Sequence, residues 1–392
     1  MTFARDFSLS AVIAGFVSVL VGFTSAGVIV FQAAQALGAT STEIGSWIWA
    51  LGLGMGLTSI LFSWRYKMPV VTAWSTPGAA LIIPAAAGVS MAEGIGAFLV
   101  CGALITLCGF TGWFEKAMNA IPLALASAML AGVLLRFGLN VFTAMQTQFV
   151  MTFAMFCVYL LVRQVVPRYT ILAALIIGVL IAGAQGLLTI ETVQWQLAQP
   201  VFTVPHFSTP AIIGIAIPLF VVTMASQNVP GVATIRAFGY DTPVSPLIGW
   251  TGIATLVLAP FGAFAINLAA ITAAITMGKE AHEDVDKRYV AAMAAGFLYI
   301  VVGLLGATVA SLFSALPEEL VLAIAGLALL STIGKGLVIA LSEEKDREAA
   351  LITFLVTASG MTLLNVGSAF WGISAGALVV GIQRLVGMRR TV

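Results

Sequence analysis

The sequence predicts an all-α polytopic membrane protein of about fourteen transmembrane segments, arranged as two inverted repeats of seven. Its composition, the length of its apolar stretches and the position of its positive charges all support this class. The 392 residues are 60% hydrophobic and 8% charged, whereas soluble domains carry about a quarter charged residues. So few charges cannot cover a water-exposed surface, and we expect lipid to surround most of the chain.

Apolar stretches follow one another along the whole chain, and a spanning helix needs about 20 such residues. The continuous candidates lie at 8–35, 42–63, 91–111, 117–141, 147–163, 169–187, 210–238, 245–259, 287–314, 318–340, 347–364 and 367–387. The stretches 68–87 and 261–278 are interrupted by Pro, Gly and small polar residues. Counting both as crossings gives about fourteen segments.

The positions of lysine and arginine orient these segments. With both termini in the cytoplasm, nearly all positive charges fall in or beside cytoplasmic loops, and the outside loops contain none. The alternation holds only if both interrupted stretches cross, which predicts a multi-pass protein of the inner membrane. Lys335 lies near a helix end, from which it can snorkel to the cytoplasmic interface. Arg136 lies deeper, as a gating or a structural charge.

The first interrupted stretch predicts a strand followed by a half-helix. Residues 68–74 include β-branched and aromatic side chains, which favour extended backbone. Ser75, Thr76 and Pro77 then form a helix start, with a hydroxyl cap and a proline in the first turn. The extended residues reach about 20 Å and half the hydrocarbon core is about 15 Å, so the helix should begin near the membrane centre.

The second interrupted stretch runs in the opposite direction. Residues 261–266 are interpreted as extended, and Asn267 as the cap of a half-helix that ends at Met277. The amino termini of both half-helices would meet near the membrane centre, as in transporters built from inverted repeats. Residues 8–187 and 210–387 would be the two repeats. The alternative is a pair of ordinary helices kinked by Gly and Pro, with no site between them.

Facing helix amino termini favour an anion, because they present free N–H groups and a positive partial charge. Polar residues also interrupt the first and eighth crossings, at 22–27 and 226–231. The predicted substrate-binding residues are Phe23, Thr24, Ser25, Trp74, Ser75, Thr76, Ser226, Gln227, Asn228 and Asn267. The competing interpretation is helix–helix hydrogen bonding for the amides and plain packing for the aromatic rings.

Other kinds of chemistry have little support in the sequence. None of the Asp and Glu residues falls in a predicted membrane core, and the two His residues lie in loops. The three Cys residues sit in apolar runs, without the spacing of metal ligands or disulfides. The match to G-x-S-x-G at 372–376 lies inside a predicted helix and lacks the strand–turn context. We expect no enzyme, no cofactor, no metal and, at a net charge of +1, no nucleic acid.

The chain resembles the benzoate transporter family, BenE, over essentially its whole length. The likeness is clearest at 16–35, at 68–84 around Trp74-Ser75-Thr76-Pro77-Gly78, at 226–236 with Gln227-Asn228-Val229-Pro230-Gly231, and at 261–277 around Asn267. The family is similar in fold to the nucleobase–ascorbate transporters. The resemblance implies a core domain at about 8–111 plus 210–314, and a gate domain at about 117–187 plus 318–387 that often forms homodimers.

The resemblance also implies a substrate and a coupling ion. Nucleobase relatives carry acidic residues in the eighth and tenth crossings, where this chain has Gln227 and Asn267. That departure favours benzoate or a similar aromatic carboxylate, imported with a proton as the core moves against the gate. The proton would ride on the substrate or on a peripheral group such as Glu43. The alternative is a transporter or channel for another anion, such as sulfate or bicarbonate, or for a nucleobase.

Overall fold

The computed structural model describes residue 6 and residues 8–112, 122–189, 191, 193, 195–241, 243–279, 281–361, 363 and 368–390. Within this part the protein is almost entirely helical, with one pair of short strands. The start of the predicted 117–141 crossing lies outside the described residues, and so do the side chains of Thr24 and Ser25.

The first half of the chain forms seven numbered helices and one strand. Their bounds are α1 Leu9–Ala36, α2 Ser41–Tyr66, β1 Thr72–Trp74, α3 Thr76–Ala85, α4 Met91–Phe110, α5 Leu123–Thr147, α6 Phe149–Val165 and α7 Thr170–Ala184. Capping boxes start α2, with Thr40 and Glu43, and α4, with Ser90 and Glu93. Each box pairs two backbone N–H groups that have no partner inside the helix, which fixes where these helices begin.

The second half of the chain repeats the pattern of long helices around one strand. Its bounds are α8 Thr209–Arg236, α9 Val244–Leu258, β2 Ile266–Leu268, α10 Ile271–Met277, α11 Tyr289–Leu304, α12 Gly306–Ser314, α13 Glu318–Leu341, α14 Arg347–Ser359 and α15 Ser368–Arg390. α8 contains two π-helical turns, Ile212–Ala216 and Met224–Asn228. A π-helical turn holds one more residue than an α-helical hydrogen-bonded turn, which re-aims the side chains along it.

Seven of the described helices are long and apolar enough to cross a bilayer, or up to eight if the bent α1 counts as one span. α1 bends by 42° between Phe23 and Ala26. The chain is thus a mostly helical polytopic membrane protein, as its composition predicts. Other predicted crossings, including 68–87, 147–163 and 169–187, correspond to shorter apolar helices, so the arrangement of fourteen segments in inverted repeats stays a prediction.

The two interrupted stretches meet through their strands. β1 and β2 pair antiparallel, with Ala73 opposite Asn267. The first stretch has the predicted order, because β1 is followed directly by α3. Its predicted cap is also confirmed, since Ser75 Oγ accepts from the Gly78 N–H at 3.1 Å.

The predicted start of the second half-helix is wrong. Asn267 lies inside β2, and α10 begins at Ile271, after an alanine that makes no side-chain cap. Asn267 cannot cap a helix because its backbone is held opposite Ala73, and its Nδ2 donates to the Ala265 carbonyl at 2.9 Å. α10 has only seven residues, so few aligned peptide groups contribute to a dipole at its amino terminus.

Helix side chains pair with the outer edges of both strands. Ser59 Oγ accepts from the Thr72 N–H at 3.0 Å, and Thr255 Oγ1 accepts from the Ile266 N–H at 3.0 Å. Non-helical backbone at membrane depth needs such partners, because lipid offers none. The strand pair is therefore a buried junction, and α3 and α10 continue from its opposite ends because the strands are antiparallel.

Candidate functional site

A cavity of about 300 Å³ lies where the two strand–helix elements meet α8. Trp74 and Thr76 line it from the first element, Ser226 and Gln227 from α8, and Thr272 from α10. This volume is at the lower end of the range for small-ligand sites. The structure thus brings four of the predicted site residues around one space, while their role in binding stays a prediction.

The amino terminus of α3 faces this cavity. Thr76, its first residue, is half-buried and lines the wall, whereas Ser75 is fully buried and serves as the helix cap. Pro77 occupies the first turn, where its missing N–H costs nothing. A helix of ten residues carries a positive partial charge at this end, which attracts an anion. Ser75 therefore shapes the helix start without reaching the cavity.

The second π-helical turn of α8 gives two neighbouring amides different surroundings. Gln227 lines the cavity, whereas Asn228 is fully buried. Asn228 Oδ1 accepts from the Leu268 N–H at 3.0 Å, and its Nδ2 lies 3.1 Å from Met224 Sδ. This corrects the expectation that Asn228 faces the substrate, because both ends of its amide are engaged inside the protein.

Asn267 and Phe23 lie behind the cavity wall. Asn267 is fully buried in β2, which corrects its predicted position at the substrate. Phe23 packs edge-on against Trp74, with ring centroids 4.8 Å apart. Its ring also lies next to that of Tyr299, with centroids 6.1 Å apart. Both residues therefore support the wall from behind, and Phe23 holds the Trp74 ring in place.

Arg136 lies away from this cavity. Its Nη2 donates to the Ser359 carbonyl at 3.3 Å, at the carboxyl end of α14. A cation there pairs with a helix carbonyl and with the negative end of the helix dipole. These contacts favour the structural charge over the gating charge of the two alternatives for Arg136.

Other walls of the cavity come from helices that the sequence patterns do not indicate. Tyr299 of α11, which is 2% exposed, reaches the cavity, and Ser127 of α5 and Lys335 of α13 also line it. Lys335 is exposed, so the snorkelling expected from its place near a helix end stays a prediction, and the structure adds that it lines the cavity. A charge inside an apolar segment is the signal that could have marked it. Tyr299 has no comparable signal, because aromatic rings are common in apolar helices.

The lining combines apolar side chains with a positive polar region. Lys335 is the one charged side chain among the described residues of the wall, and none of them is Asp or Glu. Met55, Trp74 and Leu130 are among the residues that give the wall its apolar area. Elsewhere in the described part of the chain, no three or more His, Cys, Asp or Glu residues gather in a group that could hold a metal ion. The geometry suits a small anion with an apolar body.

Comparisons with known proteins give one family for almost the whole chain. The family model described as benzoate membrane transport protein, BenE, matches residues 5–382. The chain is 48% identical over 377 residues to the inner membrane protein YdcO of Escherichia coli K12, covering 96% of both chains. It is 42% identical over 377 residues to the benzoate membrane transport protein of Acinetobacter baylyi, again covering 96% of both chains.

Solved structures give a fold for the same length of chain. The structure of SLC26A9 aligns with a TM-score of 0.63 at 12% identity, covering 98% of this chain and 67% of that one. The transmembrane domain of a cyanobacterial bicarbonate transporter, BicA, aligns with a TM-score of 0.61 at 14% identity, covering 94% and 97%. At such low identity these likenesses show an SLC26-like transporter fold and nothing about substrate.

Proposed function

The chain belongs to the benzoate membrane transport protein family, BenE, and from this premise we propose that it is a secondary active transporter for benzoate or a similar aromatic carboxylate. It would work in the inner membrane, as the name of its Escherichia coli relative supports. The observation that carries the proposal is the cavity itself, which has apolar walls, a positive polar region and no described carboxylate. An aromatic acid needs these features together.

The proposed substrate pose follows from the chemistry of the wall. The aromatic ring packs against Trp74, whose indole is itself held by Phe23. The carboxylate lies at the amino terminus of α3, next to Thr76, and the Gln227 amide donates to it. A nucleobase would instead require a buried acceptor for its ring N–H groups, and the described wall offers no carboxylate for that purpose.

The proposed mechanism is alternating access. We retain the arrangement of two inverted repeats of seven segments, with core and gate domains and both termini in the cytoplasm. The antiparallel meeting of β1 and β2, each leading into a helix, supports this symmetry. The likeness to nucleobase–ascorbate transporters, a homodimer through the gate and coupling to a proton are parts of the same proposal. The proton would travel on a group outside the described wall, such as Glu43, or on the substrate, since none of the described wall residues is Asp or Glu.

Transport in proteoliposomes tests this function. Purified protein should take up labelled benzoate with saturation, and unlabelled benzoate inside the vesicles should accelerate the entry. Sulfate, bicarbonate and uracil should not compete. Gln227→Leu should weaken benzoate binding by roughly 2- to 10-fold, the usual value of one hydrogen bond. Uptake of labelled sulfate or bicarbonate together with no uptake of benzoate would refute the proposed substrate.

A second candidate function is transport or conduction of a small inorganic anion, because the fold neighbours include a bicarbonate transporter. The two functions differ in what the wall must provide. A hydrated inorganic anion gains nothing from Trp74, Leu130 and Met55, whereas an aromatic ring does. Flux that rises linearly with anion concentration in planar bilayers would favour a channel over the carrier.

A further inference from the structure

Lys335 places a flexible cation in the wall of the cavity. We infer that Lys335 is the specificity-determining residue for the ionised carboxylate, which it pairs with across the cavity from Thr76 and Gln227. The inference rests on the proposed function and adds a residue that the family match does not identify. The charges of the wall are not balanced, because Lys335 is the one charged group among the described wall residues and none of them carries a negative charge. A carboxylate ligand would supply the missing charge.

The position of Lys335 distinguishes it from the other polar groups of the cavity. Thr76 and Gln227 belong to α3 and α8, which meet at the strand pair, whereas Lys335 belongs to α13. α13 packs closely on α5, since a Cβ built on Gly336 would lie 3.2 Å from the Ser127 carbonyl oxygen. Ser127, Lys335 and Gly336 all line the cavity. α5 and α13 therefore form a second wall of the same cavity.

A carboxylate has two oxygens, so one anion can contact both walls at once. One oxygen would accept from the α3–α8 wall and the other from the Lys335 ammonium, which has three donors on a flexible stem. Lys335 is exposed and not packed into the core, which leaves its stem free to turn. The negative charge of the substrate would thus draw the two walls together. Such an approach of two walls is how a carrier closes around its ligand.

This assignment predicts a specific pattern of selectivity. Benzoate and benzamide share the aromatic ring, but only benzoate carries a negative charge. An ammonium group that pairs with the carboxylate favours benzoate, whereas a lysine that only snorkels or packs favours neither ligand. The ratio of the two affinities therefore reports on the charge of Lys335 and not on the general shape of the cavity.

Binding of both ligands to purified full-length protein tests the inference by isothermal titration calorimetry. Lys335→Met should raise the Kd for benzoate by about 10- to 100-fold, the value of a charge-assisted hydrogen bond, and leave the Kd for benzamide within about twofold. Lys335→Arg keeps the charge and should retain most of the affinity. Lys279→Met is the matched control, because Lys279 is exposed like Lys335 but does not line the cavity.

The possible outcomes separate the inference from the proposed function. If Lys335→Met bound benzoate as tightly as the wild type does, the inference would be overturned. The proposed function would stand, because the wild-type protein would still bind benzoate. An equal loss for benzoate and benzamide would also overturn it, because only a structural role affects both ligands. A wild-type protein that binds neither benzoate nor a related aromatic acid would overturn the function, and the inference with it.

Chemical restoration of the charge provides a second test. It compares two labelled forms of the same variant, so a difference between them does not come from misfolding. In a background without Cys101, Cys108 and Cys157, Lys335→Cys should bind benzoate weakly. Labelling the thiol with an aminoethyl methanethiosulfonate attaches a cation of nearly lysine length and should restore the affinity. Labelling with the neutral methyl reagent should not. Rescue by both reagents, or by neither, would contradict a role for the charge.

Discussion

Replacing Asn228 by leucine would test whether this residue supports the strand pair or binds the substrate. In the structure Asn228 is fully buried, and its Oδ1 accepts from the backbone N–H of Leu268 at 3.0 Å. Leucine has a similar volume and no acceptor, so the Leu268 N–H would stay buried without this partner. An unmade hydrogen bond of this kind costs about 1–3 kcal/mol. With an unfolding entropy of about 2.1 cal/mol/K per residue, that loss lowers the midpoint of a chain this long by roughly 1–4 °C.

The assay is thermal unfolding of detergent-purified protein without ligand, at one fixed heating rate. Gln227→Leu is the matched control, because it makes the same chemical change one residue away, on the cavity wall. We expect Asn228→Leu to unfold at a lower temperature, and Gln227→Leu to keep the wild-type midpoint while its benzoate affinity falls. The reasoning would be refuted if Asn228→Leu kept the wild-type midpoint and lost benzoate binding instead.

Further substitutions test the packing against β2 and the contact at the carboxyl end of α10. Gly231→Ala should lower the yield of folded protein, because its Cβ would lie 2.7 Å from Leu268 Cβ and 2.8 Å from the Leu268 carbonyl oxygen, whereas Gly334→Ala meets no atom within 4 Å and should fold normally. Size-exclusion profiles decide this, and the opposite order would contradict the assigned contact. Arg288→Met should lower the unfolding midpoint more than Arg288→Lys, because the buried guanidinium donates to the Met277 carbonyl at 2.7 Å and such charge-assisted bonds contribute about 1.5–3 kcal/mol. Equal midpoints for Arg288→Met and the wild type would show that this contact adds nothing.

Local chemistry made the first strand–helix element predictable. Residues 68–74 favour extended backbone, and Ser75 with Pro77 starts a helix, so the order of β1 and α3 follows from neighbours in the sequence. The second element failed at Asn267, which has the side chain of a helix cap but lies in β2. What holds it there is the pairing with Ala73, a residue from the other half of the chain. Sequence propensity does not contain such long-range pairing.

The candidate site was predictable only where local sequence patterns indicate it. A polar interruption in the eighth crossing indicated that α8 carries site residues, and Ser226 and Gln227 do line the cavity. The sequence could not separate Gln227 from Asn228, because a π-helical turn decides which amide faces the cavity. The charge of Lys335 inside an apolar segment could mark it as unusual, but the sequence did not locate it at this cavity, since α13 reaches the cavity through its packing against α5. Residues contributed by tertiary packing are the ones that local patterns miss.

The polar residues around the strand pair and the cavity therefore divide into two kinds, and the division has a physical cause. Extended backbone inside a membrane leaves N–H groups on its outer edges, and Ser59, Thr255 and Asn228 accept from those groups. Thr76 and Gln227 line the cavity instead, where an incoming ligand can meet them. A transporter that opens a helix to make a binding site must include both kinds, because exposing helix ends to the ligand also exposes strand edges that need partners. Substitutions of the first kind should change stability before affinity, and those of the second kind should do the reverse.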